Sequence, residues 1–298
     1  MKLGYFPGCS LHATAREYEE SLRSITGLLD IQLEEIKDWA CCGATSAHST
    51  SHSLSIALPA RTLMLAQKQK LDRIFAPCAA CYNRLAGARH ELMHVKESAE
   101  RIEEVLDYRF ENPVDVVSVA QLLSELTDEI RKRAKAPLKD VKVACYYGCL
   151  LVRPPEICGF DDPEVPSSLE RIASATGASP VKWDMALACC GGGFSLSRTA
   201  SVVRLSRAIL DSARRAGAHA VVVACPMCHS NLDFRQAAIS RRSRSADEMP
   251  ILFVSQLVGL SAGLSPAQLG LQRHFVSTQP LLDQISASSS QQNLREQA

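Results

Sequence analysis

Ten of the twelve cysteines in this 298-residue chain fall into two sets of five: Cys9, Cys41, Cys42, Cys78 and Cys81, then Cys149, Cys189, Cys190, Cys225 and Cys228. Each set reads C…CC…CxxC, with 31 and 35 residues between the blocks in the first and 39 and 34 in the second. Thiolates are the soft ligands that iron–sulfur clusters require, and donors from three chain regions enclose a metal more rigidly than a single hairpin. All ten are therefore candidate metal ligands. Gly43 and Gly191 follow the two double cysteines; lacking a Cβ, they let the backbone turn tightly against a bulky inorganic core, and both are read as cofactor-binding. Zinc normally takes four ligands, so five cysteines per set fit it poorly unless one thiolate stays free, and zinc at one site is the minority alternative. A thioredoxin-like dithiol would use two of the five and leave three unexplained. Cys145 and Cys158 have no counterparts in the other half and are read as small buried hydrophobes.

The eight histidines form no metal-type or triad-like spacing, so acid–base catalysis finds little support. His12 and His229 lie nearest the cysteines and read as ordinary surface histidines. Lysine plus arginine (33) nearly cancel aspartate plus glutamate (32), so no global field points toward nucleic acid or anionic lipid. The basic run Arg241–Arg244 is read as a solvated loop. The sequence has no secretory-type start and no run of apolar residues long enough to span a membrane. Twelve cysteines in the reducing cytoplasm argue for metal binding or redox chemistry rather than structural disulfides.

The elements that must carry the cysteines repeat. Lys2–Phe6 and Val141–Tyr147 read as buried strands, each running into a Gly-Cys pair; Arg73–Ala76 and Ala220–Ala224 are apolar runs that end in a Cys-x-x-Cys. Pro113–Leu123 resembles Pro250–Leu260. Helical periodicity covers Ser10–Leu29, Leu54–Leu71 and Thr199–Arg215. The alternation predicts an α/β fold of two homologous Rossmann-like domains, each a small, mostly parallel sheet flanked by helices. The first domain is placed at 1–138 and the second at 139–285, with Arg131–Lys139 as the linker. The Ser- and Gln-rich 286–298 is read as a disordered tail.

Pro7-Gly8-Cys9-Ser10, Cys41-Cys42-Gly43, Pro77-Cys78-Ala79-Ala80-Cys81, Tyr147-Gly148-Cys149, Cys189-Cys190-Gly191 and Cys225-Pro226-Met227-Cys228 together resemble the duplicated cysteine-rich domain of the heterodisulfide reductase B subunit. The likeness spans roughly residues 1 to 280, and its second set is one residue short of the family spacing after the double cysteine. The resemblance implies that each five-cysteine set binds a noncubane 4Fe–4S cluster and that a disulfide, or a related sulfur substrate, is reduced or formed between the two. It also implies a complex with a ferredoxin-like C subunit and a flavin-containing A subunit, since this chain has no ferredoxin-type CxxCxxCxxxCP run of its own. The soluble heterodisulfide reductase-like branch of sulfur oxidisers shares the domain. So do lactate-, glycolate- and succinate-type oxidoreductases, which keep a non-catalytic electron-transfer role open. A pseudo-twofold arrangement is expected to turn the two Cys-Cys-Gly loops toward one cleft.

Overall fold

The computed structural model describes residues 1–44, 47–243 and 248–296. Its first half contains β1 (Lys2–Tyr5), α1 (Gly8–His12), α2 (Arg16–Leu28), β2 (Gln32–Glu35), α3 (Ala47–Thr50), α4 (His52–Lys68), β3 (Arg73–Phe75), α5 (Ala79–His94), α6 (Lys96–Leu106), β4 (Asp115–Val117), α7 (Val119–Glu125) and α8 (Thr127–Arg133). The second half contains β5 (Lys142–Tyr146), α9 (Ser168–Ala175), β6 (Ser179–Pro180), α10 (Thr199–Arg215), β7 (Ala220–Val223), α11 (Pro226–Phe234), α12 (Gln236–Ser243), β8 (Ile251–Phe253), α13 (Val254–Ser261) and α14 (Gln279–Glu296).

The strands form two sheets, ordered β2-β1-β3-β4 and β6-β5-β7-β8, and every pairing is parallel. The order is the same in both halves, as the repeated cysteine pattern predicts. Parallel strands are covered on both faces and read as continuous apolar runs; β7 (AVVV) and β8 (ILF) are buried at every position. Such sheets place ligands outside the carboxyl ends of their strands. Cys9, Cys78, Cys149 and Cys225 all lie within four residues of a strand's carboxyl end, and the double cysteines sit in the connections that leave β2 and β6.

The two halves pack reciprocally. α2 of the first lies against α13 of the second, and α9 of the second lies against α7 of the first. Tyr18 on α2 stacks on Phe253 with ring centroids 4.0 Å apart and planes 5° from parallel, and its hydroxyl donates to the Pro77 carbonyl at 3.1 Å. Ser21 and Ser255 share a buried hydroxyl pair at 2.7 Å. One continuous apolar core runs through both sheets.

Four segments differ from their sequence reading. The helix expected over Ser10–Leu29 is two, α1 and α2, separated at Ala13–Ala15, where the Ala15 N–H turns back to the Ser10 carbonyl at 2.8 Å. The linker after α8 is pinned, with Ala136 N–H bonded to Ser261 and Leu138 N–H to Thr176 across the halves. α14 runs to Glu296 through positions where composition predicts a disordered tail; it is seeded by Leu281, Leu282 and Ile285, which pack on the core. The backbone of the basic run is helical as far as Ser243, and Arg244 lies outside the described residues.

Candidate metal centres

Each set of five cysteines converges. In the first, Cys42, Cys78 and Cys81 are buried, whereas Cys9 and Cys41 face solvent. Cys42 Sγ lies 3.3 Å from Cys81 Sγ, and the thiols of Cys78 and Cys81, and of Cys9 and Cys41, interact in turn. The second set repeats the division: Cys190, Cys225 and Cys228 are buried, and Cys149 and Cys189 are exposed. There Cys190 Sγ is 3.5 Å from Cys228 Sγ and Cys149 Sγ is 4.0 Å from Cys189 Sγ. Each centre therefore has a closed side of three sulfurs and an open side of two.

The glycines after the double cysteines aim their backbone N–H groups at sulfur. Gly43 N is 3.5 Å from Cys41 Sγ and Gly191 N is 3.3 Å from Cys189 Sγ. A second pair of glycines, which the motif reading passes over, precedes Cys9 and Cys149. Gly8 and Gly148 have φ of +65° and +68°, and a Cβ there would lie 2.9 Å from Cys81 Sγ and 3.2 Å from Cys228 Sγ. Both positions need φ > 0 and a bare Cα. The signal that could have found them is the Gly-Cys pair that opens each set.

Crowded thiols cannot all ionise unaided, because each anion opposes the next. The hydrogen bond shared with Cys81 is the main cause that pulls the Cys42 thiol down to about 7, and the one shared with Cys228 lowers the Cys190 thiol. Cys225 is held well below its ordinary value by hydrogen bonds from Cys228 and Cys78. Their donors shift the opposite way: Cys78, Cys81 and Cys228 are pushed well up by the neighbours they serve and by burial, and burial beside Cys189 takes Cys149 to about 12. A cationic metal core at each set would replace these shared protons and relieve the repulsion. Soft donor type, convergence and the glycine cradles all fit an iron–sulfur group.

The two centres are neighbours. The thiols of Cys78 and Cys225, the first cysteines of the two Cys-x-x-Cys motifs, interact across the halves.

Around the sulfurs the halves differ. Arg84 stands one helical turn after Cys81 on α5, and its positive field reaches Cys42. Asn231, one turn after Cys228 on α11, donates to the Cys190 carbonyl at 3.1 Å and to Cys190 Sγ at 3.6 Å. Tyr146 lies among the second set's thiols and donates to the Ala188 carbonyl at 2.5 Å. None of these three carries a motif signal in the sequence.

His12 is exposed, as expected, 3.5 Å from a Glu35 carboxylate oxygen. His229 is not on the surface; it is buried, stacks on Phe253 at 4.2 Å and meets the Ile251 carbonyl at 3.1 Å. Its cover comes from β8, more than twenty residues away, which the local sequence does not announce. His229, Asp233 and His274 place ligand-type atoms within 4.8 Å of one another. Gln256 accepts from Phe253 N–H and donates to the Leu269 carbonyl, so it turns its amide N–H toward His274 Nε2 at 2.8 Å. That nitrogen is an acceptor already engaged, and Nδ1 carries the hydrogen, so the ring has no free lone pair for a metal. Asp233 accepts from Phe275 and Val276 N–H at 2.8 and 3.0 Å. The cluster is a polar joint that fastens the C-terminal segment to α11. Cys145 and Cys158 are fully buried and outside both sets; Cys158 Sγ accepts from Asn83 Nδ2 at 3.4 Å.

Residues 3–86 and 143–233 each match the cysteine-rich domain termed CCG, and those two spans contain all ten candidate ligands. The chain is similar to the 8-methylmenaquinol:fumarate reductase membrane anchor subunit of Wolinella succinogenes, 32% identical over 94% of this chain and 99% of that protein. It is 28% identical to the B subunit of a ferredoxin/F(420)H(2)-dependent CoB-CoM heterodisulfide reductase from Methanosarcina acetivorans, over 95% of this chain and 97% of the relative. A protein of Archaeoglobus profundus described as like the heterodisulfide reductase B subunit is 26% identical over 90% and 93%. A crystal structure of a hypothetical protein from Helicobacter pylori superposes with a TM-score of 0.76 at 13% identity, covering 93% of this chain. The chain spans about half (52%) of that structure, and the likeness speaks to fold alone. Among the described residues no helix is long and apolar enough to cross a membrane.

Proposed function

Because this chain belongs to the cysteine-rich CCG domain family and carries that domain twice, with relatives that are oxidoreductase subunits, we propose that it is the iron–sulfur catalytic subunit of a heterodisulfide reductase-like complex. Cys9, Cys41, Cys42, Cys78 and Cys81 would hold one 4Fe–4S cluster of noncubane type, and Cys149, Cys189, Cys190, Cys225 and Cys228 the other. Such a group supplies one-electron storage at iron. The reaction is RSSR′ + 2e⁻ + 2H⁺ → RSH + R′SH, or its reverse. The single observation that carries this reading is the convergence of each five-cysteine set beside the carboxyl ends of its own sheet, with Cys78 and Cys225 near enough across the halves to shift each other's ionisation. Two sets this close would let a two-electron reaction draw one electron from each.

The chain's own residues do the rest. Cys42, Cys78, Cys81 and their counterparts close the inner faces, and the apolar core around them excludes water. The open faces at Cys9 and Cys41, and at Cys149 and Cys189, are where a sulfur substrate can approach. Electrons enter from partner proteins, a ferredoxin-like C subunit and a flavin-bearing A subunit, in the cytoplasm. The domain boundary falls near 138/139.

A second reading has its own support. The relative at 32% identity is named a fumarate reductase subunit, and in a complex of that kind this chain would relay electrons while another protein did the chemistry. Dye-linked disulfide reduction by anaerobically loaded protein separates the two, with Cys42→Ser and Cys190→Ser alongside. The catalytic reading expects turnover that either single substitution abolishes. Cluster spectra indifferent to every thiol and disulfide, with no turnover, would establish the relay instead.

A further inference from the structure

The two centres share ligands, glycines and topology, so the residues that break the repeat are informative. Positions three residues after the last cysteine of each set lie on the same helix face as that cysteine. Arg84 fills the position on α5 and Asn231 on α11. Cys81, one turn before Arg84, lies 3.3 Å from Cys42 at the sulfurs. Arg84 Nε is enclosed and has no hydrogen-bond partner, and the guanidinium makes no ion pair among the described residues. It lines a cavity of about 230 Å³ between α4 and α5 with His48, His52 and Glu91, but Glu91 is directed to His52, 3.7 Å away. Arg84 is half-buried, and a cation partly withdrawn from water without an ion pair is best placed beside an anion. The anionic centre within reach is the first sulfur set.

Asn231 brings only a neutral amide to the second set, through its bonds to the Cys190 carbonyl and sulfur. A further difference acts in the same sense. The ring beside Gly8 is Phe6 and the ring beside Gly148 is Tyr146, each 3.5 Å from where a Cβ on its glycine would lie. Tyr146 gives its hydrogen to the Ala188 carbonyl and so leaves an oxygen lone pair near the second set. Glu35 opposes the trend at the first set, yet its side chain is 38% exposed and already engages Trp39 and His12, so solvent screens it. Arg84 keeps its charge unshared, since no carboxylate pairs with it among the described residues, whereas Glu35 is divided between two partners.

We propose that Arg84 makes the first cysteine set the higher-potential centre of the two and thereby fixes the order in which they accept electrons. This rests on the reading that both sets hold iron–sulfur clusters. Arg84 acts as a positioning charge and contributes no ligand.

The test is an EPR-monitored redox titration of the full, iron-loaded chain with dithionite and mediators, iron being counted in every sample. Cys42→Ser protein, which retains the second centre, assigns the signals. Arg84→Gln is expected to shift the first centre's reduction equilibrium at least tenfold toward the oxidised form, about 59 mV for one electron, with the second unmoved. Arg84→Lys should restore it, and Asn231→Arg should raise the second centre. Intact iron with an unmoved first potential, or a wild-type second centre that already reduces first, overturns the proposal. Should Arg84→Gln lose iron at the first set, Asn231→Arg decides by itself: an unmoved second potential overturns it. A wild-type chain that binds no iron defeats the cluster reading, and this inference with it.

Discussion

The thiols of Cys78 and Cys225 perturb each other's ionisation across the boundary between the halves, both buried and each belonging to a different five-cysteine set. Two sites that share no chain segment are thereby linked through one residue from each. Serine at Cys78 or Cys225 should disturb the spectra of both centres, whereas Cys42→Ser or Cys190→Ser should bleach mainly its own, serine being a harder and less acidic ligand. Visible and EPR spectra of the four variants check this. Purely local loss in the Cys78 and Cys225 variants would mean that the contact does not couple the sites.

The glycine cradles have a graded consequence. Gly8→Ala forces a left-handed conformation at a cost of about 1–2 kcal/mol, and its Cβ would press on Cys81 Sγ at 2.9 Å. Gly148→Ala meets Cys228 Sγ at 3.2 Å and should be milder. Iron retention after gel filtration, with melting temperature, should rank wild type above Gly148→Ala above Gly8→Ala.

The inter-half stack is the mechanical counterpart. Phe253 is fully buried between Tyr18 and His229. Truncation to alanine should cost about 3–5 kcal/mol, while Tyr18→Phe, which loses only the bond to the Pro77 carbonyl, should cost about 1 kcal/mol. Urea unfolding of both variants tests the ranking; equal effects would argue that the stack carries little of the interface.

Asp233 gives the fold a pH dependence of definite sign. Burial raises its carboxyl from 3.8 to about 6, against the two N–H bonds from Phe275 and Val276 and with the help of Glu248. Glu17 faces the same region, and burial raises it too. A raised carboxyl means that the native state holds the proton more tightly. Its stabilising effect is complete below about pH 4 and is lost as pH rises through about 6. The swing is on the order of 3 kcal/mol at most. Asp233→Asn should flatten the slope of melting temperature against pH between about 4 and 7; an unchanged slope would place its origin elsewhere.

The sequence makes the duplicated parallel sheets legible because β1, β3, β5 and β7 each run straight into a cysteine landmark, and Thr199–Arg215 agrees to the residue with α10. The ten cysteines stand out by spacing, and the structure gathers each five. What is missed depends on distance along the chain. The Cys78–Cys225 contact joins residues from different halves, the burial of His229 depends on Phe253, and Arg84 gains meaning only beside Asn231. The break between α1 and α2 is also invisible locally, since Ala13, Thr14 and Ala15 include no glycine or proline.

Two iron–sulfur centres on ten cysteines are tested most directly by metal analysis of anaerobically purified chain combined with its visible spectrum. The expected result is brown protein with about eight irons per chain, four for each five-cysteine set, falling by half in Cys42→Ser or Cys190→Ser and to nothing in the double variant. Colourless protein carrying one zinc per set, or iron lost equally from both sets in either single variant, would contradict it.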